Sequence, residues 1–260
     1  MQNNQILTTL ENLPRFDNAK QVDTLGALIK KKSKWSPYPL SDVNPDPLTT
    51  SSGTHECVQK CIALALEFEL PVGSFTYNGS SLVEYEGFNW ALLDNAKDEE
   101  VHFKAFKEAA KAYNVPFDSM DEAAALKGIL LELEDSEGIN TILLAGFLEL
   151  TVFFPSLAMM RKWGSPELKN MVNDVSRDES GHVNVNYYII DKLGLTFKDF
   201  GSVEQLRGDV IRWLSSSVRG SYGADHWEKV SKNLAETRKS PDLEWTKTGV
   251  MPRFFEMPAY

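Results

Sequence analysis

The chain has little cysteine: Cys57 and Cys61 are the only two in 260 residues. Two thiols exclude a disulfide framework. Their i,i+4 spacing is not the CxxC of redox and zinc sites, so they read as reduced thiols on one buried helix face. Basic charge is also in deficit, with 27 Lys and Arg against 37 Asp and Glu and a formal net charge of −10. That balance argues against nucleic acid or an anionic membrane surface as partner, because phosphate attraction needs a basic face. Gly73, Gly79 and Gly87 do not form GxGxxG, so no dinucleotide fingerprint is present. Runs of strand-type alternation are missing too. The opening MQNNQILTTL lacks the basic start and apolar stretch of a signal peptide, and a soluble cytoplasmic protein is expected.

What is present is helical. Residues 1–54 read as an arm with one short helix over 23–32, broken by Ser36-Pro37-Tyr38-Pro39 and Asn44-Pro45-Asp46-Pro47. Residues 55–194 read as a four-helix bundle. Its first helix covers 55–70 and stops at Pro71, Gly73 and Asn78-Gly79; the second covers 81–113 and is closed by Asn114 and Pro116. Ser119 with Glu122 reads as a capping box opening a short helix. The third bundle helix covers 138–163. The last is opened by Ser165-Pro166 and ended by Gly194. Residues 195–260 read as C-terminal helices, one over 203–218, with an irregular tail from Pro241 packed on the bundle. Leu168, Val172, Val175, Val183 and Ile190 recur at three- and four-residue steps, as an all-α fold requires.

Residues 138–160 carry a single charge, Glu149, and are long enough for a membrane span. Asn140, Thr141, Thr151, Pro155 and Ser156 dilute them, and no basic cluster flanks them. A helix at the centre of a bundle is the expected reading.

Chemistry concentrates in two stretches, Asp98-Glu99-Glu100-Val101-His102 and Asp178-Glu179-Ser180-Gly181-His182. Each reads Asp-Glu-x-x-His, and the i,i+3 spacing sets Glu and His on one helix face. A Glu three residues before a given His arises by chance about once in fifteen. Two of the four histidines in this chain meet that condition, and each pair is preceded by Asp. Carboxylate oxygen and imidazole nitrogen together suit a metal ion. Glu99 and His102 align with Leu92, Ala96, Phe103 and Phe106. Glu100 aligns with Lys97, Lys104 and Lys107, a wet face, and is a poor ligand candidate. Glu179 and His182 sit among Val172, Val175, Val183 and Asn186. Glu149 lies with Ile142, Ala145, Val152 and Phe153. Acids on apolar stripes must be paired or metal-bound, since an isolated buried charge is too costly.

The remaining helix offers Glu67 or Glu69. Glu67 shares a face with Glu56 and Lys60, and Glu69 shares one with Val58, Ile62 and Ala65. Glu69 to Glu149, Glu99 to Glu179 and His102 to His182 are each 80 residues apart. That repeat favours Glu69, with Glu67 as the alternative, although Pro71 puts Glu69 near a kink or helix end.

One Glu on each of two helices plus Glu-x-x-His on each of two others resembles the ligand set of the ferritin-like dimetal-carboxylate superfamily. The resemblance covers about 55–194. It implies a ferritin-like four-helix bundle with extra N- and C-terminal helices, and two iron ions, Fe/Fe or Mn/Fe, held by Glu69, Glu99, His102, Glu149, Glu179 and His182. It also implies that Asp98 and Asp178 orient the histidines. Four carboxylates balance two Fe²⁺, leaving the filled core nearly neutral.

Within that superfamily, ferritin shells usually lack a second complete Glu-x-x-His, which leans this chain towards oxygen chemistry. The radical tyrosine of many ribonucleotide reductase small subunits falls at Phe106 here, although some Mn/Fe subunits also carry Phe. The threonine of bacterial multicomponent monooxygenases falls at Phe153. The Cys-rich segment of rubrerythrins is missing. In size and spacing the chain is most similar to compact oxygenases such as the aldehyde-deformylating enzymes.

The implied activity is an O₂-dependent di-iron oxygenase or oxidase acting on a small, apolar substrate, with electrons from a ferredoxin or reductase. A reductase small-subunit-like redox protein and an iron-storage protein are the alternatives, and a homodimer is compatible with each. Phe106, Phe147 and Phe153 are the candidate substrate-pocket residues, with Phe154, Met159 and Met160 beside them; core packing accounts for the same side chains. Tyr187 and Tyr188 are candidates for electron relay or for plain packing. His55 and His226 lack a metal-spaced partner.

Overall fold

The computed structural model describes residues 3–13, 35–41, 51–83 and 86–237. The helix expected over 23–32, the loop at Asn44-Pro45-Asp46-Pro47 and the tail from Pro241 lie outside the described residues. Every regular element among the described residues is helical. In chain order these are α1 (Asn3–Glu11), α2 (Ser52–Ser81), α3 (Glu86–Ala112) and α4 (Phe117–Glu137). A short 3₁₀ turn, Gly138–Asn140, leads into α5 (Thr141–Leu148), a π-helical turn (Glu149–Phe153) and α6 (Phe154–Trp163). Then come α7 (Pro166–Leu193), α8 (Phe200–Ser215) and α9 (Ala224–Thr237).

Four of these close a ring: α2 packs on α3, α3 on α7, α7 on the α5–α6 rod, and the rod back on α2. The rod, Thr141–Trp163, is the one described helix apolar and long enough to cross a membrane, and 94% of its most apolar window is buried inside the protein. It is a core helix, as expected for the segment around Glu149. α4, α8 and α9 cover one flank of the ring and α1 another.

The start of α7 follows its sequence signals. The Ser165 hydroxyl accepts from the Leu168 N–H at 3.3 Å. Pro166 occupies the first turn, and Gly194 ends the helix in the left-handed region at φ 64°. Other signals mislead. α2 does not stop at Pro71 but continues to Ser81. A helical proline costs about 3 kcal/mol, whereas Phe68, Leu70, Val72 and Phe75 around it are fully buried, each stabilising by about 1.5–3 kcal/mol. Gly73 and Gly79 are close-packing points rather than breakers. A Cβ at Gly73 would lie 2.8 Å from Leu10 and 3.0 Å from Glu99 Cβ, and one at Gly79 would lie 2.3 Å from Ile142.

Ser119 caps nothing. The helix begins at Phe117 with Pro116 as its extended N-cap, and α4 runs for 21 residues rather than a short stretch. Glu122, freed of a capping role, accepts from the Trp213 indole of α8 at 2.5 Å. α8 begins at Phe200, ahead of the expected 203, because the Asp199 carboxylate accepts from the Ser202 N–H. The sequence does not single out α1, and of the C-terminal helices expected over 195–260 it gives bounds only for the one over 203–218, not for α9. α1 buries Ile6 and Leu10 against Leu70 and Ala96, and α9 buries Trp227 and Leu234.

The α1 helix also corrects the wet face assigned to Glu100, which is only 6% exposed. Lys97 donates to the Leu10 and Glu11 carbonyls at 3.1 and 2.8 Å. Lys104 pairs with Glu11 at 2.7 Å. Glu100 sits between Lys97 and Lys104, paired to both. The lysine stripe is real, but α1 lies over its Lys97 end and leaves Lys107 exposed.

Candidate metal centre

Glu149 stands at the π-helical turn, and its local backbone has an identifiable cause. The Phe154 N–H reaches the Glu149 carbonyl, a five-residue step. Pro155 has no N–H to give to the Thr151 carbonyl, four residues back. The Ser231 hydroxyl of α9 donates to that carbonyl instead. Ser231 accepts from Arg207 Nη1 of α8 at 2.9 Å, and Arg207 forks onto Glu204 at 2.8 and 2.7 Å. The C-terminal helices thus brace the turn that carries Glu149. Such π turns recur at functional sites.

Side chains from α2, α3, the π turn and α7 converge on two groups of four. Glu69, Glu99, His102 and Glu179 form one; Glu99, Glu149, Glu179 and His182 form the other. Within each, one donor atom per residue lies within 4.8 Å of every other. Glu99 and Glu179 belong to both, so the two groups, each of which could hold a cation, share two carboxylates. All six side chains are at most 1% exposed. Glu67 does not join them: it is half-buried on another face and ion-paired with Lys127 of α4. Glu69 takes the place that the 80-residue repeat assigns it. Gly73, one turn on, lets α2 approach α3 beside Glu99.

Each histidine turns Nδ1 towards the acids. His102 Nδ1 lies 3.1 Å from Glu99, 3.3 Å from Glu179 and 3.5 Å from Glu69. His182 Nδ1 lies 3.0 Å from Glu99, 3.6 Å from Glu179 and 3.8 Å from Glu149. The other ring nitrogen donates to an aspartate, and the pairing crosses over. His102 Nε2 of α3 faces Asp178 of α7 at 3.4 Å, while His182 Nε2 of α7 faces Asp98 of α3 at 3.2 Å. An N–H held at Nε2 leaves Nδ1 as the ligating lone pair of a neutral imidazole. Trp35, from the segment before α2, donates its indole N–H to Asp178 at 2.7 Å.

The electrostatics show what the cluster needs. Burial, then the neighbouring Glu99 charge, pushes the Glu69 carboxyl well above its ordinary value. Burial does the same to Glu149, with Glu179 and Glu99 adding to it. For Glu99, burial also acts upward, but His182 and the hydrogen bonds from His102 and His182 outweigh it and hold the group below the usual carboxylate range. Burial works against a charged His102, yet the hydrogen bonds its protonated ring gives to Asp178, Glu179, Glu69 and Glu99 raise it well above the ordinary imidazole value. With Nδ1 of both imidazoles unprotonated, Glu69 Oε2, Glu99 Oε1, Glu149 Oε1 and both oxygens of Glu179 make no hydrogen bond. Five buried, unbonded carboxylate oxygens are costly. Divalent cations among them would remove that cost, and oxygen with imidazole is the donor set that manganese and iron accept.

The three candidate pocket phenylalanines do not converge. Phe106 and Phe153 are packed in the main core. Phe147 alone lines a cavity of about 460 Å³, with Leu143, Tyr187, Ile190, Phe197 and Phe200. Phe154, Met159 and Met160 are likewise core, and the Cys57 and Cys61 thiols, both buried, contact Met159 sulfur at 3.6 and 3.8 Å. Tyr188 packs edge-on against Phe88. His55 stacks on Tyr113, and His226 sits between Tyr222 and Trp227.

Residue spacing does not point to Trp35, Asn95, Arg207 or Ser231. Asn186 was visible only as a polar residue in an apolar stripe, and its amide donates to Glu149 Oε2 at 2.8 Å. Compared with family models, with curated proteins and with solved structures, the chain matches none.

Proposed function

We propose that this protein is a non-haem dimetal oxidoreductase of the ferritin-like carboxylate type, an oxygenase or oxidase that uses O₂ to oxidise a small, apolar organic substrate. The observation that carries the reading is the pair of buried four-donor pockets sharing Glu99 and Glu179. Two iron ions, or manganese with iron, would be held there, and when bound they supply one-electron redox chemistry with O₂.

The chain's own residues do the rest. Asp98 and Asp178 take the Nε2–H of the opposite helix's histidine and fix its tautomer. Glu99 and Glu179, common to both groups, would serve both ions. The apolar walls exclude bulk water from the acids, which strengthens every charge interaction inside. An external donor such as a ferredoxin or reductase returns the electrons.

A second reading, a redox subunit similar to ribonucleotide reductase small subunits, draws support from Trp35. Its oxidisable indole is hydrogen-bonded to the carboxylate that holds His102.

The deciding experiment is anaerobic Fe²⁺ loading followed by O₂, with metal content, oxygen uptake and visible absorption recorded. About two irons per chain, with O₂ consumed and a transient band, is the expected result. Fewer than about one metal per chain sinks the dimetal reading, and a mineral core of many irons would make it a storage protein. A long-lived oxidised radical without substrate turnover favours the redox-subunit reading.

A further inference from the structure

Superposing the two helix pairs by their 80-residue spacing exposes a difference beside the acids. Asn186 Nδ2 donates to Glu149 Oε2 at 2.8 Å, and its Oδ1 accepts from Asn95 Nδ2 at 3.2 Å. Both asparagines are fully buried. Eighty residues before Asn186 stands Phe106, and eighty after Asn95 stands Val175, each fully buried. Beside Glu149 a two-amide chain runs from α7 to α3, and the positions that the 80-residue spacing matches to its two members carry a phenyl ring and an isopropyl group.

We propose that Asn186, oriented by Asn95, is a positioning residue that fixes Glu149 as a one-oxygen donor and makes the pocket of Glu99, Glu149, Glu179 and His182 the tighter of the two. This deepens the dimetal reading and rests on it. Asn95 donates to the Asn186 amide oxygen, so the Asn186 NH₂ must face Glu149. With Oε2 taken, Oε1 is the oxygen left towards His182 Nδ1, 3.8 Å away. Gly146 admits this contact, since a Cβ there would stand 3.1 Å from Asn186 Cβ.

Glu69 is oriented differently. It leans on Glu99 and His102, which are themselves donors and rearrange when a cation enters. Asn186 is not a donor in either pocket, so its grip on Glu149 survives loading. A preorganised ligand binds more tightly because less order is lost on binding.

Mn²⁺ titration of the full, metal-stripped chain, by calorimetry and electron paramagnetic resonance, tests this. Wild type should fill in two unequal steps. Asn186→Leu, close in volume and without the donor, should weaken the tighter step about 10- to 100-fold and leave the weaker in place. Asn95→Leu should act in the same direction with a smaller change, because the Asn186 amide is then free to flip. In a Glu149→Ala background, Asn186→Leu should no longer alter binding of the remaining ion; a purely structural role would still shift it. Two unchanged binding constants in Asn186→Leu, or in Asn95→Leu should the first variant not fold, overturn the inference and leave the dimetal reading standing. Wild type that binds no Mn²⁺ and no Fe²⁺ overturns the dimetal reading itself.

Discussion

The helix pair α2–α3 and the pair formed by the α5–α6 rod with α7 carry the same acids and histidines at the same spacing, on differently built backbones. In the first pair the single-Glu helix passes through Pro71, two residues after Glu69, and stays α-helical to Ser81. In the second, Pro155 lies six residues after Glu149, and the backbone opens into a π turn at the acid itself. A proline leaves the carbonyl four residues before it without its helical donor. Pro155 exposes the carbonyl of Thr151, next to the site, and α9 must supply Ser231 to satisfy it. The first pair is thus held by its own helices with α1 and α4. The second depends on a brace from the C-terminal third of the chain.

The largest expected effect strikes what the two halves share. Glu99→Gln or Glu179→Gln, each nearly isosteric, should lower metal content from about two ions per chain to well under one by elemental analysis; one ion retained in either variant would break the sharing. A smaller loss separates the halves. Glu69→Ala and Glu149→Ala should each remove one ion, and equal, complete loss in both would show that the pockets are not independent.

Next is the brace. Ser231→Ala leaves the buried Thr151 carbonyl without its donor and should cost about 1–3 kcal/mol in denaturant unfolding. It should also weaken the ion at Glu149 and spare the one at Glu69. An unchanged unfolding midpoint would remove the brace from the account.

The smallest effect is on pH dependence without metal. The folded values of Glu69 and Glu149 are raised, so the folded chain keeps protons that the unfolded chain releases above the ordinary value of 4.5. His102 does the same above 6.5. More protons are bound when folded, so this stability is complete below those values and is lost as pH rises through the raised ones. Glu99 has the opposite sign, and its contribution fails only in acid. The melting temperature of stripped protein should therefore fall between pH 5 and pH 8. Metal should flatten that slope, since binding displaces the same protons. A melting temperature that rises over this range would contradict the assigned charges.

The sites were more legible in the sequence than the elements around them. Glu99, His102, Glu179 and His182 could be read because i,i+3 spacing is a local property of any helix, and Glu149 because a lone charge in an apolar run needs a partner. Glu69 needed the repeat to set it above Glu67. Pro71, Gly73 and Ser119 were misread because each carries two meanings, a stop or cap in an isolated helix and a tolerated residue in a packed one. Glu100 was misread because a lysine stripe looks solvated until another helix lies on it.

By itself the sequence determined the all-helical class, the helix faces and the kind of donor each face presents, because these follow from the 3.6-residue period and side-chain chemistry. Only the tertiary structure decided which aspartate serves which histidine, that two carboxylates belong to both pockets, and that Asn186, Ser231 and Arg207 support Glu149. The hydrogen bonds between these elements join residues 24 to 84 positions apart, and their partners are set by how helices pack rather than by any local pattern.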